Sequence, residues 1–285
     1  MNLLRVGIGL PNSVPGTEPK VLLEWARRAE RGPFSSLGVV DRIRYDNYEP
    51  LTVLAGAAGV TTRIGLCTMV VIGPLRAPAL LAKEAATVDA LSGGRLTLGL
   101  GVGARTDDYQ AAGVPQEGRG ERLSQQLAEL RAYFEDGVVG PSAAQPNGPP
   151  LLVGGTSDTA FARMARYADG YVHGGGPPRA FARAAAKART AWVESGRPGA
   201  PRLWAQGYFA LDDDEVFEAG RAYMRDYYAF AGPFAERIAE GLLTTPQDVV
   251  AFVRGYAEAG CEELVLLPAT NDLSQVDRLA EVVAG

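Results

Sequence analysis

The stretch RIGLCTMVVIGPLRAPALLAKEAATVDALSGGRLTLGLGVG, residues 63–103, contains a complete strand–helix–strand unit. Its two ends are short apolar runs, and the segment between them has the apolar spacing of a helix that stops at Gly93 and Gly94. Two strands joined by a crossover helix form a parallel pair. This unit therefore predicts an α/β fold with a parallel sheet.

The same alternation continues in both directions along the chain, and helical patterns follow the apolar runs. The eight predicted strands are LLRVGIGL (3–10), SLGVVD (36–41), RIGLCTMVVIG (63–73), RLTLGLGVG (95–103), PPLLVGG (149–155), DGYVHGGG (169–176), RLWAQGYFAL (202–211) and EELVLLP (262–268). Eight such repeats without a long linker predict one (β/α)8 TIM barrel with short insertions, a single domain over residues 1–285. An open doubly wound sheet is the alternative.

The composition is that of an ordinary globular protein. Of the 285 residues, 47% are apolar and 21% are charged, and the formal net charge is −5. This acidic balance lacks the basic footprint that nucleic acid or an anionic membrane would require, so we expect neither as a partner. The amino-terminal apolar run is too short for a signal peptide and no window is long enough to span a membrane. We therefore expect a cytoplasmic protein.

Histidine and cysteine are scarce in this chain. His173 is the only histidine, and the sequence contains neither CxxC nor HExxH, so we expect no metal site. The sequence also lacks the G-x-S-x-G elbow that presents a nucleophilic serine, which disfavours a hydrolase. We expect Cys67 and Cys261 to be buried thiols, with a disulfide as the alternative.

Glycine occupies every second position at the end of the fourth predicted strand, at Gly99, Gly101 and Gly103. A glycine inside a strand leaves room for another backbone or a flat ligand. Gly99, Gly101 and Ala104 also match a G-x-G-x-x-A dinucleotide fingerprint, but residues 105–120 predict a loop where that motif needs a helix. In a barrel this strand end opens on the active-site face. The glycines then either give a planar ligand a smooth wall or relieve crowding where the strand bends.

Several blocks of the chain together resemble the bacterial-luciferase-like family of flavin and deazaflavin (F420) oxidoreductases. They are EPLTVLAGAAGVTTRIGLCTMVV (49–71), RAPALLAKEAATVDALSGGRLTLGLGVG (76–103), LLVGGTSDTAFARMARYADGYVHGG (151–175) and TPQDVVAFVRGYAEAGCEELVLLP (245–268). The resemblance covers nearly the whole chain and keeps the family's order. It implies a (β/α)8 barrel that binds FMN, or alternatively F420, at its carboxyl-terminal mouth.

The resemblance also implies which residues hold the cofactor. The third strand would bulge behind the tricyclic ring, with a non-proline cis bond between Met69 and Val70. Glycines of the fourth strand would border the pyrimidine edge of the ring, and two later segments would hold the ribityl phosphate, aided by a helix that starts near Ser157. The implied cofactor-binding residues are Thr68, Met69, Val70, Gly101, Gly103, Gly154, Gly155, Thr156, Gly174, Gly175 and Gly176.

Two departures from the family's pattern bear on catalysis. F420-dependent sugar-phosphate and alcohol dehydrogenases of the family carry a histidine after the aspartate that ends the second strand, where this chain has Asp41-Arg42. The sugar-phosphate enzymes also carry a glutamate at the position of Ala104. These differences make sugar-phosphate oxidation a poor interpretation, and they leave no obvious general base.

Arg42, His173 and Asp41 are the catalytic candidates. Arg42 would clamp an anionic substrate or the reduced flavin, or else form an ion pair with Asp41 or Asp46. His173 would lie near the ribityl chain or shuttle protons, or else make a structural hydrogen bond. Asp41 would be the base if the protein were an unrelated barrel lyase or isomerase.

Other polar and aromatic residues are weaker candidates. Arg105 and Asp107 are expected to be solvated surface charges, and Gln206 and Asn271 are possible polar groups near the pocket. The aromatic residues fall into two sets: Trp204, Tyr208 and Phe209 are expected in the core or pocket wall, and Tyr223, Tyr227, Tyr228 and Phe230 in helix packing or a subunit interface.

The function that this reading favours is a reduced-FMN-dependent monooxygenase acting on a small organic substrate. A separate flavin reductase would supply the reduced cofactor, because the sequence shows no NAD(P)H module. The alternatives are an F420-dependent hydride-transfer enzyme and a flavin-binding protein without turnover. The resemblance further implies a homodimer, formed through the second and third helices.

Overall fold

Nine parallel strands form one closed sheet in the computed structural model, which describes residues 4–285. The strands are β1 Arg5–Gly9, β2 Ser36–Val39, β3 Gly65–Thr68, β4 Val71–Ile72, β5 Leu96–Gly101, β6 Leu151–Gly154, β7 Gly170–His173, β8 Arg202–Phe209 and β9 Glu263–Pro268. The segments β3 and β4 are two parts of one barrel strand, because both pair with β5. The pairing of β1 with β9 closes the sheet. The predicted eightfold barrel is confirmed, and the open sheet is wrong.

Helices surround the barrel. They are α1 Pro19–Arg31, α2 Pro50–Ala58, α3 Pro78–Ser92, α4 Thr106–Ala112, α5 Arg119–Asp136, α6 Asp158–Tyr167, α7 Pro178–Glu194, α8 Asp214–Tyr227, α9 Phe234–Ala239, α10 Pro246–Glu258 and α11 Ser274–Ala284. Proline stands in the first turn of several of them, where its missing N–H has no intrahelical partner to lose. Within residues 4–285, no helix is both long and apolar enough to cross a membrane.

One local prediction is wrong, because α4 begins directly after the glycines of β5. Asp107 and Asp108 lie in its first turn, where negative charge is favourable, and Gly113 ends it in the left-handed conformation with a φ of 65°. Aspartate and glycine are common both in loops and at helix ends, and here they mark the two ends of a helix. The dinucleotide fingerprint still fails, because α4 leads into α5 and not into a strand that would carry the acidic residue.

Side chains alternate between two apolar layers. Leu96, Leu98 and Leu100 of β5 belong to the layer between the sheet and the helices. Met69 and Trp204 belong to a second cluster inside the barrel. Because strand residues point to opposite faces in turn, the glycines of β5 face this interior.

The amino-terminal end of the barrel is filled by a buried carboxylate. Glu263 is 1% exposed and accepts hydrogen bonds from the hydroxyls of Ser35 and Ser36 at 2.5 Å. Arg5 completes the arrangement with an ion pair at 2.8 Å. A buried charge with this many partners is tolerated, and it leaves the carboxyl-terminal mouth as the open end.

Candidate functional site

The glycines of β5 receive the chain segment that joins β3 to β4. A Cβ atom on Gly99 would lie 2.2 Å from the carbonyl oxygen of Thr68, and one on Gly101 would lie 2.8 Å from Cγ2 of Val70. Gly103, with a φ of 69°, stands equally close to Ile72. Close approach of neighbouring backbone and side chains is therefore one reason for glycine here, as the crowding interpretation expected.

Two features fix the break between β3 and β4. The peptide bond between Met69 and Val70 is cis, as the resemblance implies. The Thr68 hydroxyl donates to the Gly99 carbonyl at 2.7 Å and accepts from the Gly99 N–H at 2.8 Å, so it replaces the regular strand pairing there. Met69 is buried inside the barrel, whereas Val70 remains half-buried and faces the mouth side of β5.

The ends of β6 and β7 form a glycine cradle, which we define as Gly154, Gly155 and Thr156 together with Gly174, Gly175 and Gly176. The two strands are neighbours in the sheet, so these segments leave it side by side. Gly155 and Gly174 are exposed, and a Cβ on Gly174 would meet no atom within 4 Å. The cradle is therefore an open surface of bare backbone.

Neighbouring side chains position the glycine cradle. Gln206 of β8 donates to the Gly174 carbonyl at 3.3 Å, and Tyr256 of α10 donates to the Gly176 carbonyl at 2.8 Å. The helix α6 begins beside the cradle, capped by Ser157, whose hydroxyl accepts from the Ala160 N–H. An N-terminal helix end and bare backbone together suit a phosphate group. No cluster of metal-ligating side chains occurs in residues 4–285.

Asp41 is fully engaged in the structure. Its carboxylate makes a two-pronged ion pair with Arg76 at 2.6 and 3.1 Å and accepts from the Ile72 N–H at 2.8 Å. Arg76 also contacts the exposed Glu49 at 3.2 Å. Asp41 therefore anchors β4 beside β2, and three hydrogen bonds to the protein already occupy its two oxygens. As a candidate base it is poorly placed.

Arg42 is buried and paired, but not with the residues that the sequence suggested. Its guanidinium binds Asp107 and Asp108 at 2.9 Å each, and not Asp41 or Asp46. Asp108 is 0% exposed and also accepts from the backbone N–H groups of Ile43 and Arg44. These contacts became possible because α4 turns its first residues toward the end of β2, which the sequence pattern did not predict.

The prediction that Arg105 and Asp107 are solvated surface charges holds only in part, because both residues are half-buried and held by neighbours, while the Asp107 side chain remains 41% exposed. Asp107 is bound by Arg42. Arg105 lies over the rings of Tyr227 and Phe230, at 4.5 and 4.3 Å from their centroids, and donates to the Tyr227 carbonyl at 2.8 Å. The guanidinium is thus held beneath the end of α8 by its aromatic neighbours.

His173 lies on the helix-facing side of β7, away from the barrel interior. Its Nδ1 atom is 3.1 Å from the Tyr171 hydroxyl, and its ring packs edge-on against Phe181 at 5.8 Å. Burial lowers the pKa of His173 below its usual value, so the ring is neutral at pH 7. Its Nε2 atom has no partner in the described part of the chain. The contacts match the structural role that the sequence left open.

The tyrosines of α8 cover part of the mouth, and they do not form an exposed interface face. Tyr223 exchanges a hydrogen bond with Ser13 at 2.7 Å, and Tyr228 donates to Tyr208 at 3.1 Å. Burial raises the pKa of Tyr208 and Tyr223 well above the usual value for tyrosine, so both stay protonated. Tyr227 is 4% exposed, whereas Phe230 remains half open to solvent at 49%.

The predicted burial of the aromatic residues of β8 and of the two cysteines agrees with the structure. Trp204, Tyr208 and Phe209 are buried, and both cysteines are free and buried. Asn271 is half-buried in the loop after β9. Sequence reasoning missed Arg76, Asp108 and Asp226, because each acts through a partner distant in the chain, and a single sequence carries no signal for such pairs.

Comparisons with known proteins agree with this geometry. The family model described as luciferase-like monooxygenase matches residues 4–263. The protein Rv0940c of Mycobacterium tuberculosis is 35% identical over 208 residues, 60% of this chain and 71% of that protein. Pyrimidine monooxygenase RutA of Escherichia coli is 32% identical over 207 residues, 65% of this chain and 55% of that protein.

Solved structures share the fold. Monooxygenase RslO1 from Streptomyces bottropensis superposes with a TM-score of 0.77 at 20% identity and covers 99% of this chain and 98% of its own. An F420-dependent secondary alcohol dehydrogenase, solved with an F420–acetone adduct, reaches a TM-score of 0.82 at 18% identity with the same coverage. The barrel, the glycine cradle and the family match lead to one conclusion: this chain belongs to the luciferase-like monooxygenase family.

Proposed function

We propose that this protein is a flavin-dependent oxidoreductase, and specifically a reduced-FMN-dependent monooxygenase that acts on a small organic substrate. The observation that carries the proposal is the glycine cradle beside the first turn of α6. A phosphate would lie against bare backbone at Gly154–Thr156 and Gly174–Gly176, and the ring would reach toward Val70 and Gly103. These residues fit the ribityl phosphate and ring of a flavin.

Buried polar atoms near this position support the fit. The Nε1 atom of Trp204 and the Oε1 atom of Gln206 face the barrel side of β8 and have no hydrogen-bond partner within residues 4–285. Buried polar groups normally find a partner, so these two atoms mark a place where a polar ligand edge would be accommodated. The proposal assigns that edge to the flavin.

None of the three candidate positions for a base offers a free group at the mouth, which favours oxygen chemistry over oxidation of an alcohol. Removing hydride from an alcohol also requires a group to take the hydroxyl proton. At the mouth, Asp41 is bound by Arg76, position 104 is alanine, and His173 faces the helices. Bound reduced FMN would supply the electrons that activate oxygen, and the chain would contribute orientation and a pocket that excludes water.

The proposal includes three further features. A separate reductase would supply reduced FMN. A homodimer would form through α2 and α3, since Leu80 and Leu91 of α3 are 56% and 61% exposed. A cytoplasmic location would keep the free thiols Cys67 and Cys261 reduced.

Anaerobic titration tests the cofactor assignment. We expect reduced FMN to bind with a micromolar dissociation constant and F420 to bind more weakly. Binding of F420 with no binding of either FMN form would contradict the proposal and favour hydride transfer. Product formation from a supplied substrate then separates a monooxygenase from a flavin-binding protein without turnover.

A glycine substitution tests the site itself. Gly174→Val introduces a side chain into the cradle at a position where nothing in the protein obstructs a Cβ, so stability should change by less than about 0.5 kcal/mol. We expect FMN affinity to fall at least tenfold, measured by flavin fluorescence. Gly59→Val is the matched control, because Gly59 follows α2 at the opposite rim and its Cβ would also make only ordinary contacts. Equal FMN affinities for the unsubstituted protein, G174V and G59V would show that the glycine cradle does not bind FMN.

A further inference from the structure

A cavity opens beside the mouth, between the ends of β2 and β5 and the end of α8. It has a volume of about 460 Å³, and we call it the arginine cavity. Its principal walls are Arg42, Tyr45, Ala104, Arg105, Tyr227 and Phe230. This volume lies within the range of small-molecule sites and suits a ligand with one ring. Ala104 directly follows Gly103, so the cavity adjoins the glycines of β5.

Three arginines line the cavity and differ in burial: Arg42 is buried, Arg105 is half-buried and Arg44 is exposed. The first two also differ in how their charge is balanced. Arg42 is neutralised by Asp107 and Asp108. Arg105 has no carboxylate within 4 Å in the described part of the chain, and its Nε atom is buried without a hydrogen-bond partner. The one carboxylate on the other side of the cavity, Asp226, accepts from the Tyr45 hydroxyl at 2.5 Å. Arg105 is therefore a cation with an unused donor.

Aromatic rings hold that cation in place. The Arg105 guanidinium is 4.5 Å from the Tyr227 ring and 4.3 Å from the Phe230 ring, and its Nη2 atom is fixed by the Tyr227 carbonyl. A planar guanidinium held in this way loses little freedom when it binds a carboxylate. The aromatic walls also offer flat apolar surface to a ring attached to that carboxylate.

We propose that the arginine cavity binds the anionic group of a planar organic acid, with Arg105 as its anion-binding residue. This deepens the proposed function, on which it rests, by giving the substrate class: an aromatic or other planar carboxylate bound beside the cofactor. Arg42 contributes positive potential, but its guanidinium already donates hydrogen bonds to Asp107 and Asp108. Arg105 is therefore the residue that would distinguish a carboxylate ligand from a neutral ligand of the same shape.

Calorimetric titration of the full chain with benzoate, benzamide and inorganic phosphate tests the inference. Benzoate and benzamide have nearly the same shape and differ in charge. We expect benzoate to bind at least tenfold more tightly than benzamide, and Arg105→Gln to weaken benzoate at least tenfold with little effect on benzamide. Equal affinities for benzoate and benzamide, or an unchanged R105Q protein, would overturn the inference. Phosphate binding more tightly than benzoate would also overturn it, since a simple anion site needs no ring.

Arg197→Gln is the matched control. Arg197 also stacks on an aromatic ring, that of Trp192 at 3.8 Å, and also donates to backbone carbonyls, but it lies outside the cavity. R197Q should bind benzoate as the unsubstituted protein does, and a matching loss would contradict a specific role for Arg105. If R105Q does not fold, crystals with 4-bromobenzoate decide: a bromine peak in the cavity supports the inference, and its absence there overturns it.

The result is separable from the cofactor assignment. Benzoate is titrated without cofactor, and reduced FMN is titrated without benzoate. If benzoate binds in preference to benzamide but no flavin binds, the anion site in the arginine cavity is supported and the proposed function is contradicted. If flavin binds but benzoate does not, the proposed function is supported and the anion site is contradicted.

Discussion

At the scale of single residues, Asp41 shows how a carboxylate at an active-site rim becomes structural. It is 0% exposed at its side chain and is bound by Arg76, which is itself only 12% exposed. Removing one partner of a buried ion pair leaves an uncompensated charge, which costs far more than losing an exposed pair. The residue that looks like a base in the sequence therefore holds β4 in position.

Substitution of Asp41 measures that role. Asp41→Asn should lower the free energy of unfolding by about 3 kcal/mol, because Arg76 keeps its charge without its principal partner. Glu49→Gln removes the exposed partner of the same arginine and should cost less than about 1 kcal/mol. Urea denaturation measures both. Similar losses for the two variants would contradict the structural role of Asp41.

Gly101 and Val70 form a pair that explains a glycine in β5 and can be tested by substitution on both sides. A Cβ on Gly101 would lie 2.8 Å from Cγ2 of Val70. We expect Gly101→Ala to cost about 1–3 kcal/mol through overpacking, and Val70→Ala in the same protein to recover most of that loss. A double-mutant cycle from denaturation curves gives the coupling. If the losses of unfolding free energy in the two single variants simply add in the double variant, Gly101 does not serve to accommodate Val70.

At the scale of elements, Glu30 ties α1 to the loop before β3. Although burial raises the pKa of Glu30, hydrogen bonds from the backbone N–H groups of Ile64, Thr62 and Arg63 and from the Thr62 hydroxyl outweigh it and lower that pKa to about 2. The folded pKa is below the unfolded value near 4.5. The stabilisation is therefore complete above about pH 5 and disappears as the pH falls toward 2.

The pH dependence of Glu30→Gln tests this connection. At pH 7 the variant should be less stable by about 1 kcal/mol, a value kept small because the group is largely open to solvent. The difference from the unsubstituted protein should shrink as the pH falls from 5 to 3, measured by denaturant unfolding at each pH. A difference that is constant over that range would contradict the assignment.

The elements also show what a sequence can and cannot predict. Apolar alternation was sufficient for all eight barrel strands, because parallel strands buried on both faces read as continuous apolar runs. It does not predict α4, because Asp107, Asp108 and Gly113 are residue types that occur in loops as well as at the ends of helices. The cis bond at Met69–Val70 came only from the family resemblance. The partners of Arg42 depended on where α4 lies, so no local pattern predicted them.

At the scale of the whole molecule, the two halves of the barrel mouth differ. Tyrosines cover the side of the mouth formed by β8, β1 and β2. Tyr208 of β8 is buried there, Tyr223 hydrogen-bonds to Ser13, and the ring of Tyr45 packs edge-on against that of Tyr227. The ends of β6 and β7 carry glycines that remain exposed. The open half is thus the half with bare backbone and a helix N-terminus, where an anionic cofactor is most favourable.

A crystal structure of the protein with FMN would show whether this open half of the mouth binds a flavin. We expect electron density for the phosphate between Gly154–Thr156 and Gly174–Gly176, with the ring extending toward Val70 and Gly103. Density for FMN at any other place, or a mouth whose glycine cradle stays empty at saturating FMN, would contradict it.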